Sequence, residues 1–194
     1  LEWLWRDRDD FFVGANLTIY FSRQQLKKRE FRGPDFFLVK DTQKRPRKSW
    51  VVWEEGGKYP NLIIELLSEE STANVDRTTK KNLYRDRFRT PEYFWFSPNT
   101  LEFSGFQLQG SEYVEIPAND SGWRWSEELQ LYLGILDGQL RYFTADGELV
   151  PTPGEDAIKA QQNVLETQQQ LIAERDRANA LAARLQALGI DPDV

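Results

Sequence analysis

The sequence predicts an α/β protein in which a mixed β-sheet is crossed by one helix, with a second, long helix at the C-terminal end. Residues 61–67 form a nearly unbroken apolar run, which is typical of a central strand covered on both faces. An amphipathic helix follows, beginning near Asp76 and ending before Pro91, and an aromatic strand comes next. Residues 155–188 contain no Gly or Pro and are rich in helix-forming side chains, so they predict one continuous helix.

The remaining predicted elements are short strands separated by turns. Apolar residues at helical spacing predict that residues 1–12 contain the end of a helix. Gly14 indicates a bend or bulge in the first strand. The predicted strands are Val13–Phe21, Asp35–Lys40, Trp50–Trp53, Tyr93–Phe96, Leu101–Leu108 and Tyr113–Ile116, with a further hairpin that turns at Asp137-Gly138.

A Pro- and Gly-containing stretch at residues 151–154 marks a domain boundary. We expect an α/β domain at residues 1–150, a linker at 151–154, the long helix at 155–188 and a tail at 189–194. The chain begins with Leu and contains no Met. We therefore expect the numbering to start inside a longer natural protein whose N-terminal helix is truncated here.

The long helix has a weak seven-residue repeat. Its apolar positions are Val164, Leu171, Ala178 and Leu185, with Leu181 and Leu188 in the second seam position. Such a helix could pair with a second copy as a weak coiled coil, pack on the α/β domain, or fray. Our expectation is a homodimer.

Composition excludes several kinds of chemistry. The 194 residues include no Cys and no His, which excludes disulfides, thiolate or imidazole metal sites, cysteine nucleophiles and histidine bases. Catalysis would depend on carboxylates, Lys, Arg, Tyr, Ser or Thr, with a hard, oxygen-binding metal if one takes part. No apolar run approaches the roughly 20 residues of a membrane span, and no signal-like segment opens the chain, so we expect a soluble, cytoplasmic protein.

The net charge of -6 argues weakly against a nucleic-acid partner, but the distribution of charge favours one. From Arg23 to Lys48 there are ten basic residues and three acidic ones. From Arg77 to Arg89 there are six basic residues and one acidic one. Each run could equally be an ordinary solvated face.

Glu65 is a carboxylate inside the apolar run, and burying it without a partner would cost several kcal/mol. Asp76, Lys80, Tyr84 and Phe88 are four residues apart, so they share one face of the predicted helix. The apolar members indicate that this face is inward, which directs Lys80 towards the sheet and Glu65. A buried ion pair without any catalysis is the alternative explanation.

Asp35 provides a second carboxylate. It follows Pro34 at the start of an apolar strand, where a side chain can emerge at the edge of a sheet. Asp35, Glu65 and Lys80 would then place two acidic oxygen ligands and one cation at the ends of adjacent elements, a set that suits Mg²⁺. The commoner role of an Asp in such a position is to cap a turn.

The order of Pro34-Asp35, then Glu65 in a strand, then Asp76 and Lys80 in the following helix resembles the PD-(D/E)XK nuclease superfamily. The segments PDFFLV, LIIELLS, DRTTKKNLY and TPEYFWFSP, with the helical tail ending in LGIDPDV, are similar to the Uma-two family of restriction endonucleases. This resemblance implies a restriction-endonuclease-like mixed sheet. It also implies a DNA endonuclease that depends on Mg²⁺ or Mn²⁺.

The resemblance covers about residues 9–150 and the tail, and it implies roles for individual residues. Asp35, Glu65 and Lys80 match the catalytic residues, and Asp35 and Glu65 also match the metal ligands, with the main-chain carbonyl of Leu66 as a further ligand. The residue two positions after the acid is Leu67 instead of the usual Lys. The catalytic Lys would therefore come from the helix, as in the Uma-two pattern, and Asn16 is a weak additional candidate.

The implied reaction is metal-assisted hydrolysis of a phosphodiester. The cations expected to bind the flanking phosphates are Arg77, Lys81, Arg85, Arg89, Lys27 and Lys28. Two other functions are possible. The first is a non-catalytic nucleic-acid-binding or scaffold protein on a nuclease-like fold, oligomerised by its C-terminal helix. The second is a two-carboxylate glycosidase, which is disfavoured because a basic stripe serves no purpose for a neutral sugar.

Overall fold

The chain forms an α/β domain followed by a single long helix. The computed structural model describes residues 1–22, 31–67 and 75–188, and the chain divides into two compact units, Leu1–Val150 and Pro151–Val194. Among the described residues, the first unit contains twelve strands and one helix, and the second contains one helix. The predicted fold class, a mixed sheet with a crossing helix plus a C-terminal helix, is confirmed.

Six strands form the main sheet: β1 (Phe11–Ala15), β4 (Phe36–Lys40), β6 (Leu62–Leu66), β7 (Glu92–Phe96), β8 (Phe103–Gln109) and β9 (Glu112–Glu115). Their order across the sheet is β1-β4-β6-β7-β8-β9. Neighbouring strands are antiparallel, except that β6 and β7 run parallel. A parallel pair needs a crossover connection, and the crossing helix provides it.

A second sheet continues from one edge of the main sheet. It contains β2 (Ile19–Tyr20), β3 (Phe31–Arg32) and β5 (Trp50–Val51), in the order β3-β2-β5. Phe11 pairs with Lys40 and Ile19 pairs with Arg32, so β1–β2 and β3–β4 keep one register along their whole length. The segment β1–β2 and the segment β3–β4 therefore run side by side as one long two-stranded ribbon. The ribbon is interrupted near Asn16, a residue in the left-handed conformation with φ 50°.

The main sheet has an apolar core on each face, because alternate residues of its central strands point to opposite sides. One core joins the sheet to the crossing helix and to β2 and β5, through Phe37, Ile63, Tyr93, Tyr84, Phe88, Ile19 and Trp50. The other core contains Leu38, Leu62, Ile64, Phe94, Leu131 and Leu133. The second core is closed by a third sheet.

This third sheet contains β10 (Arg124–Ser126), β11 (Leu131–Leu136) and β12 (Gln139–Phe143). The predicted turn at Asp137-Gly138 joins β11 to β12, and the positive φ of both residues is what a two-residue hairpin turn requires. β10 is not among the predicted strands, because three residues are too few to show an alternating pattern.

Two predictions near the N-terminus are wrong. Residues 2–7 form turns where we predicted the end of a helix, and the apolar residues Leu1 and Trp5 pack instead against the second core. Gly14 does not bend the first strand. A Cβ at Gly14 would lie 2.3 Å from the ring of Phe37, so the glycine is there to admit that ring, and the strand breaks at Asn16.

The crossing helix, α1, spans residues 75–88. It consists of a π-helical stretch Val75–Lys80, an α-helical turn Lys81–Leu83 and a second π-helical stretch Tyr84–Phe88. Arg89 ends the helix in the left-handed conformation. The side chain of Asp76, our predicted N-cap, lies outside the described residues.

The second helix, α2 (Pro153–Ala187), has nearly the predicted bounds. Thr152 caps it: the Thr152 hydroxyl accepts a hydrogen bond from the backbone of Glu155, and the Glu155 carboxylate accepts one from the backbone N–H of Thr152 at 2.7 Å. Neither of the described helices combines the length and the apolar character that crossing a bilayer would require.

Candidate active site

The candidate site lies at the C-terminal end of β6. Leu62 and Ile64 point into one core and Ile63 into the other, so alternation directs Glu65 to the side that α1 covers. Glu65 is completely buried, with 0% exposure. A carboxylate at such a depth is stable only if a cation or hydrogen-bond donors meet it.

Two side chains of α1 meet the Glu65 carboxylate. The Lys80 Nζ lies 3.0 Å from Oε2 of Glu65, and the Tyr84 hydroxyl donates a 2.7 Å hydrogen bond to Oε1. The Tyr84 side chain is fully buried, whereas 20% of the Lys80 side chain remains exposed. Each carboxylate oxygen therefore has its own donor, and Lys80 is the member of the cluster that reaches solvent.

Asp35 lies beside Glu65 on the neighbouring strand. The register of β4 and β6, continued by one residue beyond β4, places Asp35 opposite Glu65. Residues facing each other across an antiparallel pair have Cβ atoms about 4.5–5.5 Å apart. Oδ2 of Asp35 accepts a 2.7 Å hydrogen bond from the Leu66 N–H, and the Asp35 carbonyl accepts one from the Asn16 N–H at 3.0 Å. The backbone thus fixes Asp35 next to the end of β6.

The oxygen donors at this point fit a hard divalent cation. Oδ1 of Asp35 accepts no hydrogen bond from the described residues. Two carboxylates and a main-chain carbonyl, that of Leu66, are the kind of ligand that Mg²⁺ takes together with water. Within the described ranges, no group of three or more Asp, Glu, His or Cys side chains could hold a metal. A divalent cation held by Asp35 and Glu65 would need water and substrate oxygens to complete its coordination.

The cations of α1 that we predicted to bind phosphates lie against the β8–β9 hairpin. The Lys81 ammonium lies 3.2 Å from the centre of the Phe106 ring, and burial lowers the pKa of Lys81. Arg85 pairs with Glu112 of this hairpin and with its neighbour Asp86 on the helix, and Arg89 donates a hydrogen bond to the carbonyl of Gly110 in the hairpin turn. Arg89 is exposed, and Lys81 and Arg85 are half-buried.

Lys27, Lys28 and the side chain of Arg77 lie outside the described residues. Sequence reasoning used Tyr84 to identify the inward helix face and missed its contact with Glu65. The four-residue spacing from Lys80 was the available signal, because residues four apart on a helix reach the same neighbour.

The sequence analysis also missed a second buried carboxylate, Glu92, at the start of β7. Glu92 is 1% exposed, and it accepts hydrogen bonds from the Ser126 hydroxyl and, at 2.7 Å, from the Glu127 N–H. Desolvation raises the pKa of Glu92 to about 7, although these two hydrogen bonds act in the opposite direction. β6 and β7 run parallel, with Leu62 opposite Glu92, so this carboxylate lies at the far end of the strand pair from Glu65.

The chain is an α/β protein whose candidate site combines two carboxylates on adjacent strands with a lysine on the crossing helix. The profile of the Uma2 family, described as "Putative restriction endonuclease", matches residues 1–136, and the chain belongs to this family. No curated protein matches the sequence. Among solved structures, one described as a putative nuclease belonging to DUF820, from Anabaena variabilis, is similar with 14% identity and a TM-score of 0.47, over 71% of this chain and 72% of that chain.

Proposed function

We propose that this chain is a metal-dependent endonuclease that hydrolyses phosphodiester bonds in DNA. The observation that supports this most is the position of Asp35 opposite Glu65, with the Lys80 ammonium 3.0 Å from the Glu65 carboxylate. Membership of the Uma2 family favours the same activity. The chain has no His or Cys, and carboxylates with a lysine are among the groups that can act on a phosphate without them.

Each residue of the site has a role in this proposal. Asp35, Glu65 and the Leu66 carbonyl would hold Mg²⁺ or Mn²⁺, which supplies Lewis-acid polarisation of the scissile phosphate and lowers the pKa of water. Tyr84 keeps one oxygen of Glu65 in place. The Lys80 ammonium orients the attacking water and stabilises the negative charge that develops on the phosphate oxygens.

Nicking of supercoiled plasmid DNA tests the proposal. Wild-type protein should nick it with Mg²⁺ or Mn²⁺ and not with a chelator, and Asp35→Ala and Lys80→Ala should abolish nicking. Asp120→Ala, at an exposed loop position, is the matched control and should leave nicking intact. No nicking of a broad set of DNA substrates by correctly folded wild-type protein would refute the proposal.

A second function is favoured by the complete burial of Glu65. The Lys80 ammonium balances the charge of this carboxylate, and the Tyr84 hydroxyl donates a hydrogen bond to its other oxygen. The carboxylate is therefore stabilised without any substrate. On this account the chain is a non-catalytic nucleic-acid-binding or scaffold protein on a nuclease-like fold. Lys80→Ala would then cost about 3–5 kcal/mol of stability, because it leaves a buried charge unpaired, and wild-type protein would cleave nothing.

For contacts with the DNA backbone we propose the six cations named above: Lys27, Lys28, Arg77, Lys81, Arg85 and Arg89. Lys81 and Arg85 would have to exchange the Phe106 ring and two carboxylates for phosphates. Lys27 and Lys28 belong to the more basic of the two runs in the sequence. Backbone contacts of this kind supply affinity and no sequence specificity.

We also propose that α2 pairs with α2 of a second copy. Large apolar side chains recur along the helix and are exposed, among them Val164 (58%), Leu171 (65%) and Leu181 (53%). Apolar side chains repeated every seven residues form a stripe along one side of the helix. The same stripe on a second copy can pack against it. The cytoplasmic location expected from the sequence stays a prediction.

Sedimentation equilibrium of the full chain tests this pairing. Leu171→Glu adds a charge to the seam and should convert a dimer to a monomer. Gln169→Glu adds the same charge on the outer side of the helix and should leave the dimer intact. A monomeric wild-type protein, or a Leu171→Glu variant that stays dimeric, would rule out pairing through this seam.

A further inference from the structure

We propose that Trp95 stacks on an unpaired base of the nucleotide next to the phosphate held at the candidate active site. The substrate of that site is then a single strand, or a duplex that is opened locally where it is cleaved. This inference rests on the proposed nuclease function, because it names the substrate class of the same site.

Trp95 lies beside Glu65 on the neighbouring strand. The parallel register of β6 and β7 places these two residues opposite each other, and neighbouring strands are about 4.7–4.9 Å apart. Trp95 packs against the core that joins the sheet to α1, and Glu65 meets Lys80 and Tyr84 of α1. Both side chains therefore lie on the α1 side of the sheet. Asp35, Glu65 and Trp95 form one row across this face.

The helix covers the sheet completely at Tyr93 and only partly at Trp95. Tyr93, two residues before Trp95 on the same face, is 0% exposed, and its ring centre lies 5.6 Å from that of Tyr84. Trp95 is half-buried, and 20% of the Lys80 side chain is exposed. A ligand that reaches Lys80 at this end of the sheet can therefore also contact the indole of Trp95.

The groups around Trp95 favour an uncharged base over a phosphate as its partner. Glu65 lies on one side of Trp95 in the row, and Ser104 of β8 lies on the other. Glu102, two residues before Ser104, is exposed, and alternation directs it to the same face. Carboxylates repel a phosphate and do not repel a base. Aromatic side chains bind bases by stacking, whatever the base sequence.

Stacking on the indole requires an unpaired base. In a duplex the bases stack on each other, so their faces are closed to a protein ring, whereas unpaired bases in DNA or RNA offer them. Filling the core is the alternative role for Trp95. That role alone would make Trp95 matter for stability and would leave the affinity for nucleic acid independent of the bases.

Binding of strands with and without bases tests the proposal. Fluorescence anisotropy, with a chelator present to prevent metal-dependent cleavage, is measured for single-stranded DNA and for RNA of the same sequence. Each is compared with an abasic strand of the same backbone and length. Wild-type protein should prefer the normal strand for one or both backbones. Trp95→Leu should reduce this preference at least about fivefold, because the variant removes the stacking surface, and Trp95→Phe should retain most of it.

Trp125→Leu is the matched control. Trp125 is a half-buried tryptophan of β10 in the third sheet, and its loss should leave the preference for normal strands unchanged. A second measurement needs no variant: wild-type protein is irradiated with a strand that carries iodouracil, a base analogue that crosslinks to aromatic rings stacked on it. Mass spectrometry should place a crosslink on Trp95, and crosslinks to other residues only would overturn the proposal.

Three binding results would also overturn it: equal affinity of wild-type protein for normal and abasic strands, an unchanged preference in Trp95→Leu with wild-type circular dichroism, or an equal loss with Trp125→Leu. Cleavage assays separate this proposal from the nuclease assignment. DNA cleavage by wild-type protein, together with an unchanged preference in Trp95→Leu, removes the base contact and keeps the nuclease. Binding that depends on Trp95, without cleavage in any metal, keeps the base contact and removes the nuclease.

Discussion

Glu65 is a single residue whose charge is kept inside an apolar core by two neighbours. Its 0% exposure and its two donors, Lys80 and Tyr84, explain how a carboxylate is tolerated between the sheet and α1. The contribution of Tyr84 is the easier of the two to isolate, because a phenylalanine fills nearly the same space without the hydroxyl.

Tyr84→Phe should lower the free energy of unfolding by about 1.5–3 kcal/mol, because the variant removes a hydrogen bond to a buried charge. Tyr113→Phe is the control: the Tyr113 hydroxyl donates a 2.8 Å hydrogen bond to the neutral carbonyl of Thr90. Its loss should cost about 0.5–1.5 kcal/mol. Urea unfolding of both variants gives the comparison, and an equal or smaller loss for Tyr84→Phe would contradict this assignment.

Glu92 makes the stability of the fold depend on pH. Its pKa is raised from 4.5 to about 7, chiefly by desolvation. Between these values the folded protein keeps a proton that the unfolded chain has lost, so stability falls as the pH rises. The contribution is fully present below pH 4.5 and is lost as the pH passes through 7; its size is roughly 3 kcal/mol.

Glu92→Gln should remove this dependence, because the amide carries no titratable proton. Urea unfolding at pH 5 and pH 8 should show that wild-type protein loses up to about 3 kcal/mol more than the variant over this interval. Glu148→Gln, at an exposed position, should behave like wild-type protein. A Glu92→Gln variant with the full wild-type pH dependence would show that Glu92 does not cause it.

Close contact between strands and aromatic rings shapes the sheet at the level of its elements. A Cβ at Gly105 in β8 would lie 2.3 Å from the Phe94 ring of β7, as a Cβ at Gly14 would from Phe37. These glycines let a large ring lie flat against the neighbouring strand. In this way the sheet can carry many aromatic residues in both of its cores.

Gly105→Ala should therefore destabilise the protein by about 1–3 kcal/mol, because the Phe94 ring has to move out of a packed core. Gly33→Ala is the matched control, since a Cβ at Gly33 meets nothing within 4 Å. Thermal or urea unfolding of the two variants checks the difference. Equal stability of Gly105→Ala and Gly33→Ala would contradict the packing explanation.

The elements also show which parts of the site could be predicted. The Lys80–Glu65 contact follows from local rules, because helix spacing and strand alternation fix which sides of α1 and β6 meet. The position of Asp35 opposite Glu65 depends on the antiparallel pairing of β4 with β6, which no local pattern specifies. The sequence analysis placed Asp35 and Glu65 only at the ends of adjacent elements, and the family resemblance gave both of them the role of metal ligands. The partners of Lys81 and Arg85 on the β8–β9 hairpin were missed for the same reason.

Over the whole molecule, a net charge of -6 coexists with strongly basic runs, so DNA binding should depend steeply on salt. Lys27→Gln combined with Lys28→Gln should reduce the slope of log affinity against log salt for duplex DNA by about 2, since each lost phosphate contact contributes about 0.9. Lys81→Gln should reduce it less, because the Lys81 ammonium already lies over the Phe106 ring. Filter binding across a salt series gives the slopes, and an unchanged slope for the double variant would exclude these two contacts.

The central claim is that Lys80 acts on the substrate as well as neutralising Glu65. Lys80→Arg separates the two roles, because arginine keeps the positive charge beside Glu65 but spreads it over a planar group with a different position and shape. Single-turnover cleavage and urea unfolding are measured on the same preparations of wild-type protein and variant. We predict that wild-type protein cleaves DNA, and that Lys80→Arg stays within about 1 kcal/mol of its stability and loses about 100-fold or more in cleavage rate. Cleavage by Lys80→Arg at the wild-type rate, or no cleavage by folded wild-type protein, would contradict the claim.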